Sequence, residues 1–477
     1  MKVCMLVYNN CKPGTRVLRE AKTLTDAGYN VRIIALLDES TEPYEEKDGF
    51  RIIRITRDPI HHRAFRAISR AESFIIGLIL QLPGRAYHRT GRKFTLSSSK
   101  LEQPSTSILP GVEQPNKSAS ANAEPLIRRV YFWGRQSYRW VKRCLRWVLR
   151  TAIRPLDRPF KYWDYCSRIW QAIRDEPADI YHSHDLKAMP AAYIAKWRSG
   201  GKLIYDSQEL FSMPYYIPRV ERPALRLLVR YLIRRADAVI TVNEFVAAEM
   251  SGRYGIGLPV VVRNCPPLAK QGVEQCNSSL REQLGLDDTV PIIVHVGVFS
   301  RSKGSEKLVS AAPFLNHGVI VFLGSSKEEV ELKGFAARKG VRDKVLFAPP
   351  VEPEQVVGHI RSTQIGVIPF LNINLNHYYA TPNKLWECMN AGLPIVASNF
   401  PALKAIVEGY RLGCTCDPEY PRDIANAINY VLADKGRYEE MRRNALKAAK
   451  IFNWETEMLK LLAVYQMLNE QSSGASP

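Results

Sequence analysis

Residues 380–398 read ATPNKLWECMNAGLPIVAS, and they carry the most specific structural pattern in the sequence. Pro382 suits the first turn of an α-helix, where a missing backbone N–H group breaks no hydrogen bond. The apolar side chains of Leu385 and Trp386 indicate that this helix is half buried. Residues 395–398 form a short apolar run that predicts a buried strand. A helix followed at once by a buried strand is typical of an α/β domain with a parallel sheet.

The same alternation of strand and helix extends along both halves of the chain. In the second half, further strands are predicted at residues 292–296, 319–323, 345–348 and 365–369. In the first half, strands are predicted at residues 2–8, 31–37, 50–55, 180–183, 203–206, 238–242 and 260–263.

We therefore predict an α/β protein with two Rossmann-like domains, whose parallel sheets face each other across a cleft. The first domain spans residues 1–270 and the second residues 285–450. A terminal helix at residues 452–470 is expected to cross back to the first domain. Ligands of such folds bind at the carboxyl ends of the strands, so residues that follow strands are the candidates for a site.

The composition of the chain indicates which binding partners and which kinds of site to expect. The chain has 477 residues and a formal net charge of +20, which attracts anions such as acidic lipids, nucleic acids and phosphorylated substrates. Its nine cysteines lack the spacing of a metal site, so no metal is predicted and reduced, buried thiols are expected. The N-terminus lacks a signal peptide pattern, and the strongly apolar residues 74–82 are too few to span a bilayer. We expect a cytoplasmic protein with access to the inner face of the membrane.

Residues 60–175 interrupt the alternation and are interpreted as an insertion in the first domain. Residues 97–123 are rich in serine, proline and polar amides, and we expect them to be disordered. Residues 127–161 hold eleven lysines and arginines against one acid, with three tryptophans among them. Contact with an anionic membrane is slightly favoured over a helix packed on the protein with a solvated basic face. Binding of nucleic acid is the least favoured of the three interpretations, because no nucleic-acid-binding fold accompanies the segment.

A glycine-containing turn follows the first predicted strand of the second domain: residues 297–304 read GVFSRSKG. Glycines such as Gly304 let a backbone approach phosphate closely, and Arg301 and Lys303 carry charge that suits a diphosphate. Taken alone, a turn with solvated cations explains this motif equally well.

The helix predicted at Pro382 offers a second candidate contact for a nucleotide. Its N-terminus suits a phosphate, and Glu387 lies about one turn further along. A carboxylate at that place can accept two hydrogen bonds from a ribose diol. The alternative, an ordinary surface glutamate, is disfavoured by the apolar residues around it.

Residues 291–400 resemble the C-terminal half of GT-B glycosyltransferases of the large retaining family 4. The resemblance rests on the turn that ends in Lys303-Gly304, on the spacing from Pro382 to Glu387, and on the apolar strand at 395–398. In the first half, residues 179–185 (DIYHSHD) resemble the family segment that places a histidine at the catalytic crevice. Residues 203–211 and 262–266 also fit, as does the early loop with Gly14 and Arg16.

The resemblance implies transfer of a sugar from a nucleotide diphosphate sugar to a hydroxyl acceptor, with retention of configuration. It implies catalytic roles for His184, Lys303 and Glu387, with Glu387 binding the ribose. It implies the following contacts to the donor diphosphate: Gly14, Arg301, Lys303, Gly304, Pro382, Asn383 and Lys384. The co-substrate is a nucleotide sugar with no further cofactor, and the acceptor is a glycan or lipid-linked molecule in polysaccharide, lipopolysaccharide or other glycoconjugate synthesis.

The sequence departs from the family pattern at three positions. Tyr379 stands where an acidic residue is common, Val298 where an arginine is common and Gln208 where a histidine is common. Arg301 or Lys384 is expected to supply the charge missing at Val298. Two alternatives share the fold: a non-hydrolysing sugar-nucleotide epimerase, and a catalytically degenerate binding or scaffold protein.

Overall fold

The computed structural model describes residues 1–12, 15–56, 157–210, 222–268 and 280–473. The polar segment 97–123, residues 127–156 of the basic segment and Gly14 lie outside these ranges. The chain divides into two compact units: Met1–Ile55 with Ile169–Pro477, and Thr56–Arg168. The first unit contains both sheets.

The first half of the chain forms an eight-stranded sheet. Its strands are β1 (Lys2–Leu6), β2 (Asn30–Leu36), β3 (Tyr44–Lys47), β4 (Phe50–Ile55), β5 (Ile180–Ser183), β6 (Lys202–Ser207), β7 (Ala238–Thr241) and β8 (Val260–Val261), in the order β3-β4-β2-β1-β5-β6-β7-β8. The helices of this half are α1 (Thr15–Asp26), α2 (Asp157–Ile173), α3 (Met189–Ser199), α4 (Arg222–Ile233) and α5 (Glu244–Tyr254).

The second half forms a six-stranded parallel sheet. Its strands are β9 (Ile292–Val296), β10 (Val319–Leu323), β11 (Val345–Ala348), β12 (Ile365–Ile368), β13 (Ile395–Ser398) and β14 (Gly413–Cys416), in the order β11-β10-β9-β12-β13-β14. The helices are α6 (Leu280–Gln283), α7 (Ser305–Ala311), α8 (Glu329–Arg338), α9 (Val356–Ile360), α10 (Leu375–Tyr378), α11 (Asn383–Asn390), α12 (Pro401–Val407), α13 (Pro421–Leu432), α14 (Lys435–Ala449) and α15 (Trp454–Ser473), with 3₁₀ turns at Arg301–Lys303 and Ala312–Phe314. The predicted fold class, two Rossmann-like domains with parallel sheets, is confirmed.

The sequence does not predict strands β3 and β14, because both are edge strands without an apolar run. β3 is mostly exposed and pairs antiparallel with β4 through a turn at Asp48-Gly49, where both residues have positive φ. That dipeptide is a strong hairpin signal, but the flanking charges conceal it. β14 is short and half buried, and a Cβ atom at Gly413 would collide with the carbonyl oxygen of Ile395 on β13.

The predicted strand at residues 260–263 is shorter in the structure. β8 ends at Val261, and the backbone N–H of Arg263 donates 2.9 Å to Glu457 on α15 instead of to a neighbouring strand. Among the helices of the described ranges, none combines the length and the apolarity needed to cross a bilayer. The cysteines within those ranges are all free thiols.

The terminal helix α15 packs against the first sheet, although it follows the second half of the chain. Leu461, Val464, Tyr465 and Leu468 are buried in the core formed by the strands and helix α1 of the first half. At the start of α15, the indole N–H of Trp454 donates 2.9 Å to Thr23 on α1. The last helix therefore stabilises the half of the protein that is translated first.

Leu461→Ala should destabilise the protein, because Leu461 is 0% exposed and its loss leaves a cavity in the first core. We expect a loss of about 2–5 kcal/mol in the free energy of unfolding. Leu459→Ala on the same helix is the matched control, since Leu459 is 60% exposed. Urea denaturation of both variants measures the difference. Equal midpoints would show that α15 does not pack on the first half.

Candidate active site

The glycine-containing turn connects β9 to α7 at the carboxyl edge of the second sheet. Gly304 has φ 77° and ends the 3₁₀ turn, and a Cβ atom there would collide with the carbonyl oxygen of Pro369. Only glycine fits this close approach of two backbones. Lys303 is half-buried, and burial lowers the pKa of its ammonium group. The turn thus presents one partly desolvated cation at the sheet edge.

Arg301 lies on the same turn but its side chain is engaged elsewhere. The guanidinium is 70% exposed and donates 2.8 Å to Glu306 on α7. Its backbone N–H donates 2.8 Å to Glu328. The structure therefore holds the Arg301 side chain in an exposed ion pair, while Lys303 is partly withdrawn from solvent.

Helix α11 brings a second lysine beside Lys303. The Lys384 side chain is 7% exposed, and its Nζ donates 3.0 Å to Nε2 of His295 on β9. Because His295 Nδ1 lies 3.1 Å from the carbonyl oxygen of Val367, Nδ1 must donate and Nε2 must accept. Burial, aided by the charge of Lys303, lowers the pKa of Lys384 to about 7. Lys384 is thus a buried amine whose hydrogen-bond partner is a neutral histidine, and the charge of Glu387 favours its protonated form.

Glu387 lies one turn after Lys384 on the same helix and is half-buried. Burial raises its pKa, and the charges of Lys384 and Arg19 oppose that rise. Pro382 precedes α11 as its cap residue, with extended backbone. Asn383 is the first residue of α11, and its Oδ1 accepts a 2.9 Å hydrogen bond from Asn264 of the first half.

The two halves also meet at Tyr379, the position where the family commonly carries an acid. Asn243 caps α5 through Val246 and uses its amide group to donate 2.8 Å to the carbonyl oxygen of Tyr379. The Tyr379 ring lies parallel to the ring of Phe245, with 6.1 Å between centroids. In this structure Tyr379 therefore contacts the first half across the cleft.

A buried ionic cluster lies beneath the carboxyl edge of the first sheet. Arg16 on α1 donates 2.9 Å and 3.1 Å to the two oxygens of Asp206 on β6. The same guanidinium donates 2.7 Å to the carbonyl oxygen of Val262 and lies 2.8 Å from a carboxylate oxygen of Glu20. Arg16 is 3% exposed, and Glu20 and Asp206 are 0% exposed. One buried arginine thus faces two buried carboxyl groups.

Two histidines complete this cluster. His184 directly follows β5, and its Nδ1 lies 3.4 Å from Asp206 and 3.9 Å from Glu20. His182 stacks on it with 4.2 Å between ring centroids, and its Nδ1 lies 2.8 Å from the hydroxyl of Tyr465 on α15. The Nε2 atoms of both rings are buried without a hydrogen-bond partner among the described residues.

The environment separates the pKa values of the two carboxyl groups. Burial raises the pKa of Glu20 to about 7, and the charge of Asp206 adds to that rise. Burial also acts on Asp206, but the Arg16 charge and the contact with His184 hold its pKa below the usual range. Burial and the nearby His184 lower the pKa of His182, which stays neutral. The charges of Arg16 and Asp206 therefore balance, and Glu20 adds no negative charge while it keeps its proton.

Glu20, His182, His184 and Asp206 also offer one ligand atom each within 4.8 Å of one another, as a metal site would. A metal ion there would lie beside the Arg16 guanidinium, which already contacts both carboxyl groups. Since that positive charge opposes a second cation, the donor set suits a shared proton better.

The structure brings Lys303, Lys384 and Glu387 into one electrostatic environment and places His184 in the buried cluster. Gly14 lies outside the described residues. Sequence reasoning did not single out Glu20, Asp206, His295 or Tyr465 as site residues. A signal existed for His295, a lone histidine in an apolar strand, and for Glu20, four residues after Arg16 on a helix.

Residues 277–448 match the model of the glycosyl transferases group 1 family, and residues 125–265 match a glycosyl transferase 4-like domain. A D-inositol 3-phosphate glycosyltransferase of Xylanimonas cellulosilytica is 30% identical over 308 residues, covering 60% of this chain and 71% of that protein.

Solved structures share the fold. A sucrose-phosphate synthase of Thermosynechococcus elongatus superposes with a TM-score of 0.67 at 16% identity, covering 99% of this chain and 100% of that one. The Anabaena protein HepE in complex with UDP-glucose superposes with a TM-score of 0.59 at 15% identity, covering 99% of this chain and 100% of that one.

Glu20→Gln should change how stability depends on pH. In the folded protein Glu20 keeps its proton up to about pH 7, whereas an unfolded glutamate loses it near pH 4.3. This group therefore makes wild-type stability fall as the pH rises from about 4.5 through 7. Glutamine has the shape of the protonated acid and cannot ionise. We expect similar stability at pH 5 and, at pH 8, a variant that is more stable by on the order of 1–3 kcal/mol.

Urea denaturation at the two pH values measures this effect, with the exposed Glu419→Gln as the control. Identical pH responses of wild type and Glu20→Gln would mean that Glu20 is already ionised in the folded protein.

Proposed function

Because the chain belongs to the group 1 glycosyltransferases, we propose that it transfers a sugar from a nucleoside diphosphate sugar to a hydroxyl acceptor, with retention of anomeric configuration. The observation that carries the donor class is the grouping of Lys303, Lys384 and Glu387 at the carboxyl edge of the second sheet. Among the described residues neither Lys303 nor Lys384, whose pKa values are both lowered, forms a salt bridge with a carboxylate, and Glu387 lies one helical turn after Lys384. A diphosphate with an attached ribose has the complementary charges and hydroxyl groups.

Lys303 and Lys384 are proposed to stabilise the leaving diphosphate. When the glycosidic bond to the phosphate breaks, negative charge grows on the phosphate oxygen. Cations that are already desolvated and held in place stabilise that charge without further reorganisation. Pro382 and Asn383 place the first N–H groups of α11 beside the same region. Glu387 is proposed to accept hydrogen bonds from the ribose hydroxyl groups.

His184 is proposed to contact the transferred sugar. Its Nδ1 faces Asp206, and its buried Nε2 has no partner among the described residues, so a sugar hydroxyl can bond Nε2 only after the residues that cover it move aside. The Arg16–Asp206 pair and Glu20 then act as positioning residues for the imidazole ring. A buried charge pair on one side of the ring restrains its rotation and its tautomer.

The comparisons suggest which substrates to test first. HepE has been solved with UDP-glucose, so UDP-sugars are the first donors to test. The relative of Xylanimonas cellulosilytica is named for D-inositol 3-phosphate, and an anionic acceptor suits a chain with a net charge of +20. We propose a phosphorylated or lipid-linked hydroxyl acceptor in glycoconjugate synthesis.

Glu387→Ala should weaken nucleotide-sugar binding by about ten- to a hundredfold, which equals roughly 1.4 to 2.7 kcal/mol. Titration calorimetry against UDP-, GDP- and ADP-sugars measures the loss for whichever donor binds wild type. Glu440→Ala is the control, because Glu440 is an exposed residue of α14. Product analysis by NMR then tests retention, and turnover of the donor without any acceptor would identify an epimerase instead. Wild-type affinity in Glu387→Ala would remove Glu387 from the donor site.

Lys384→Met should reduce kcat by about a hundred- to a thousandfold, because the leaving diphosphate loses a desolvated cation. Arg301→Met, which removes an exposed cation paired with Glu306, should stay within about threefold of wild type.

The pH dependence separates an electrostatic role of Lys384 from a structural one. Since its pKa is about 7, diphosphate affinity of wild type should fall as the pH rises from 6.5 to 8.5, and Lys384→Met should lose that dependence. An Arg301→Met defect as large as that of Lys384→Met would reverse the assignment of the two cations.

A further inference from the structure

Helices α3 and α4 lie side by side on the first half of the chain and expose large apolar side chains. The hydroxyl groups of Tyr193 on α3 and Tyr231 on α4 are 2.9 Å apart, and their rings meet edge to face. Trp197, one turn after Tyr193, is 73% exposed, and Leu227 on α4 is 69% exposed. Leu228, the next residue on α4, is 47% exposed. We call these five residues the α3–α4 face.

The α3–α4 face is not the core face of α4. Val229, Leu232 and Ile233 turn inward and are buried, as one side of a surface helix requires. The opposite side of such a helix is normally polar, but in α4 it carries Leu227, Leu228 and Tyr231. The Tyr193–Tyr231 contact joins the exposed apolar side of α4 to that of α3, and exposed apolar groups of this kind mark an interaction surface.

Arginines surround this patch. Residues 222–235 contain five arginines and no acid. Arg226 and Arg230 are exposed and lie one turn apart along α4. The Arg235 guanidinium lies 5.0 Å from the centroid of the Tyr231 ring. The nearby Asp237 bonds Lys196 at 2.6 Å, so its charge is already neutralised.

We propose that the α3–α4 face docks on a bilayer surface rich in anionic phospholipid. The exposed leucines enter the interface, tryptophan and tyrosine lie at the level of the headgroups, and the arginines contact phosphates. The attraction between each arginine and an anionic leaflet adds to binding and is weakened by salt. A second copy of this chain fits poorly, because a twofold contact would place the arginines of both copies against each other. Nucleic acid would use the arginines but leave the leucines without a partner.

Vesicle co-sedimentation of the full-length protein, with no substrate added, tests docking independently of the proposed transfer reaction. The vesicles are phosphatidylcholine alone, or phosphatidylcholine and phosphatidylglycerol in equal parts, at low and high salt. Wild type should partition onto the anionic vesicles. Trp197→Gln/Leu227→Gln should lower the partition coefficient about tenfold at both salt concentrations. Arg226→Gln/Arg230→Gln should lower it about ten- to thirtyfold at low salt and less at high salt.

Matched controls replace residues of equal exposure elsewhere. Val330→Gln/Leu459→Gln removes two apolar side chains that are 84% and 60% exposed, and Arg342→Gln/Arg361→Gln removes two exposed arginines of the second half. Both should stay within about twofold of wild type. All these sites are exposed, so urea midpoints should not change and will confirm folding.

Three results would overturn the proposal. The first is a wild type that does not bind anionic vesicles. The second is equal binding by wild type and both α3–α4 variants, which would assign membrane contact to residues outside this face. The third is a dimer, detected by analytical ultracentrifugation, that dissociates in Trp197→Gln/Leu227→Gln, since the face would then bind a second copy.

Discussion

The buried Arg16 guanidinium lies at the carboxyl edge of the first sheet and donates hydrogen bonds to both oxygens of Asp206 and to the carbonyl oxygen of Val262. A buried charge of this kind is tolerated only when its partners are complete, because removing one leaves the other uncompensated. The contacts join α1, β6 and the segment after β8, which are far apart in the chain. The arrangement of this half of the site therefore depends on a single ionic contact.

The buried charged side chains at the two sheets are paired in opposite ways. In the first, Arg16 is matched by Asp206 and by a glutamic acid, Glu20, that holds its proton to about pH 7. In the second, Lys384 is buried beside the half-buried Lys303, and its hydrogen-bond partner within the described ranges is a neutral histidine. The first arrangement is electrostatically complete and suits positioning of a side chain. The second is electrostatically incomplete, which is what an anionic ligand requires.

Contacts between residues far apart in the chain fix the position of one arrangement relative to the other. Helix α15 follows the second half but joins the core of the first, and its Tyr465 contacts His182 in the ionic cluster. Asn243 and Asn264 of the first half bond to the backbone of Tyr379 and to Asn383. Any motion between the halves must exchange these few bonds, which are polar and close to the proposed donor site. Polar contacts of this kind can be broken and remade at modest energetic expense.

The alternation of strands and helices can be predicted from the sequence, because strands buried in a parallel sheet are recognised by their largely apolar runs. For the same reason β5, β9, β10, β11 and β13 have the predicted bounds, whereas the edge strands β3 and β14 were missed. The family also follows from sequence, since its motifs are local runs such as 382–387.

Which charged side chains contact each other depends on the folded structure. Arg16 and Asp206 are 190 positions apart, and His182 and Tyr465 are 283 apart, so no spacing in the chain predicts either contact. Likewise, Arg301 and Lys384 look equally suitable as cations in the sequence, but one pairs with a carboxylate in solvent and the other is buried. Desolvation gives a charge its chemical properties, and desolvation depends on neighbours that the fold supplies.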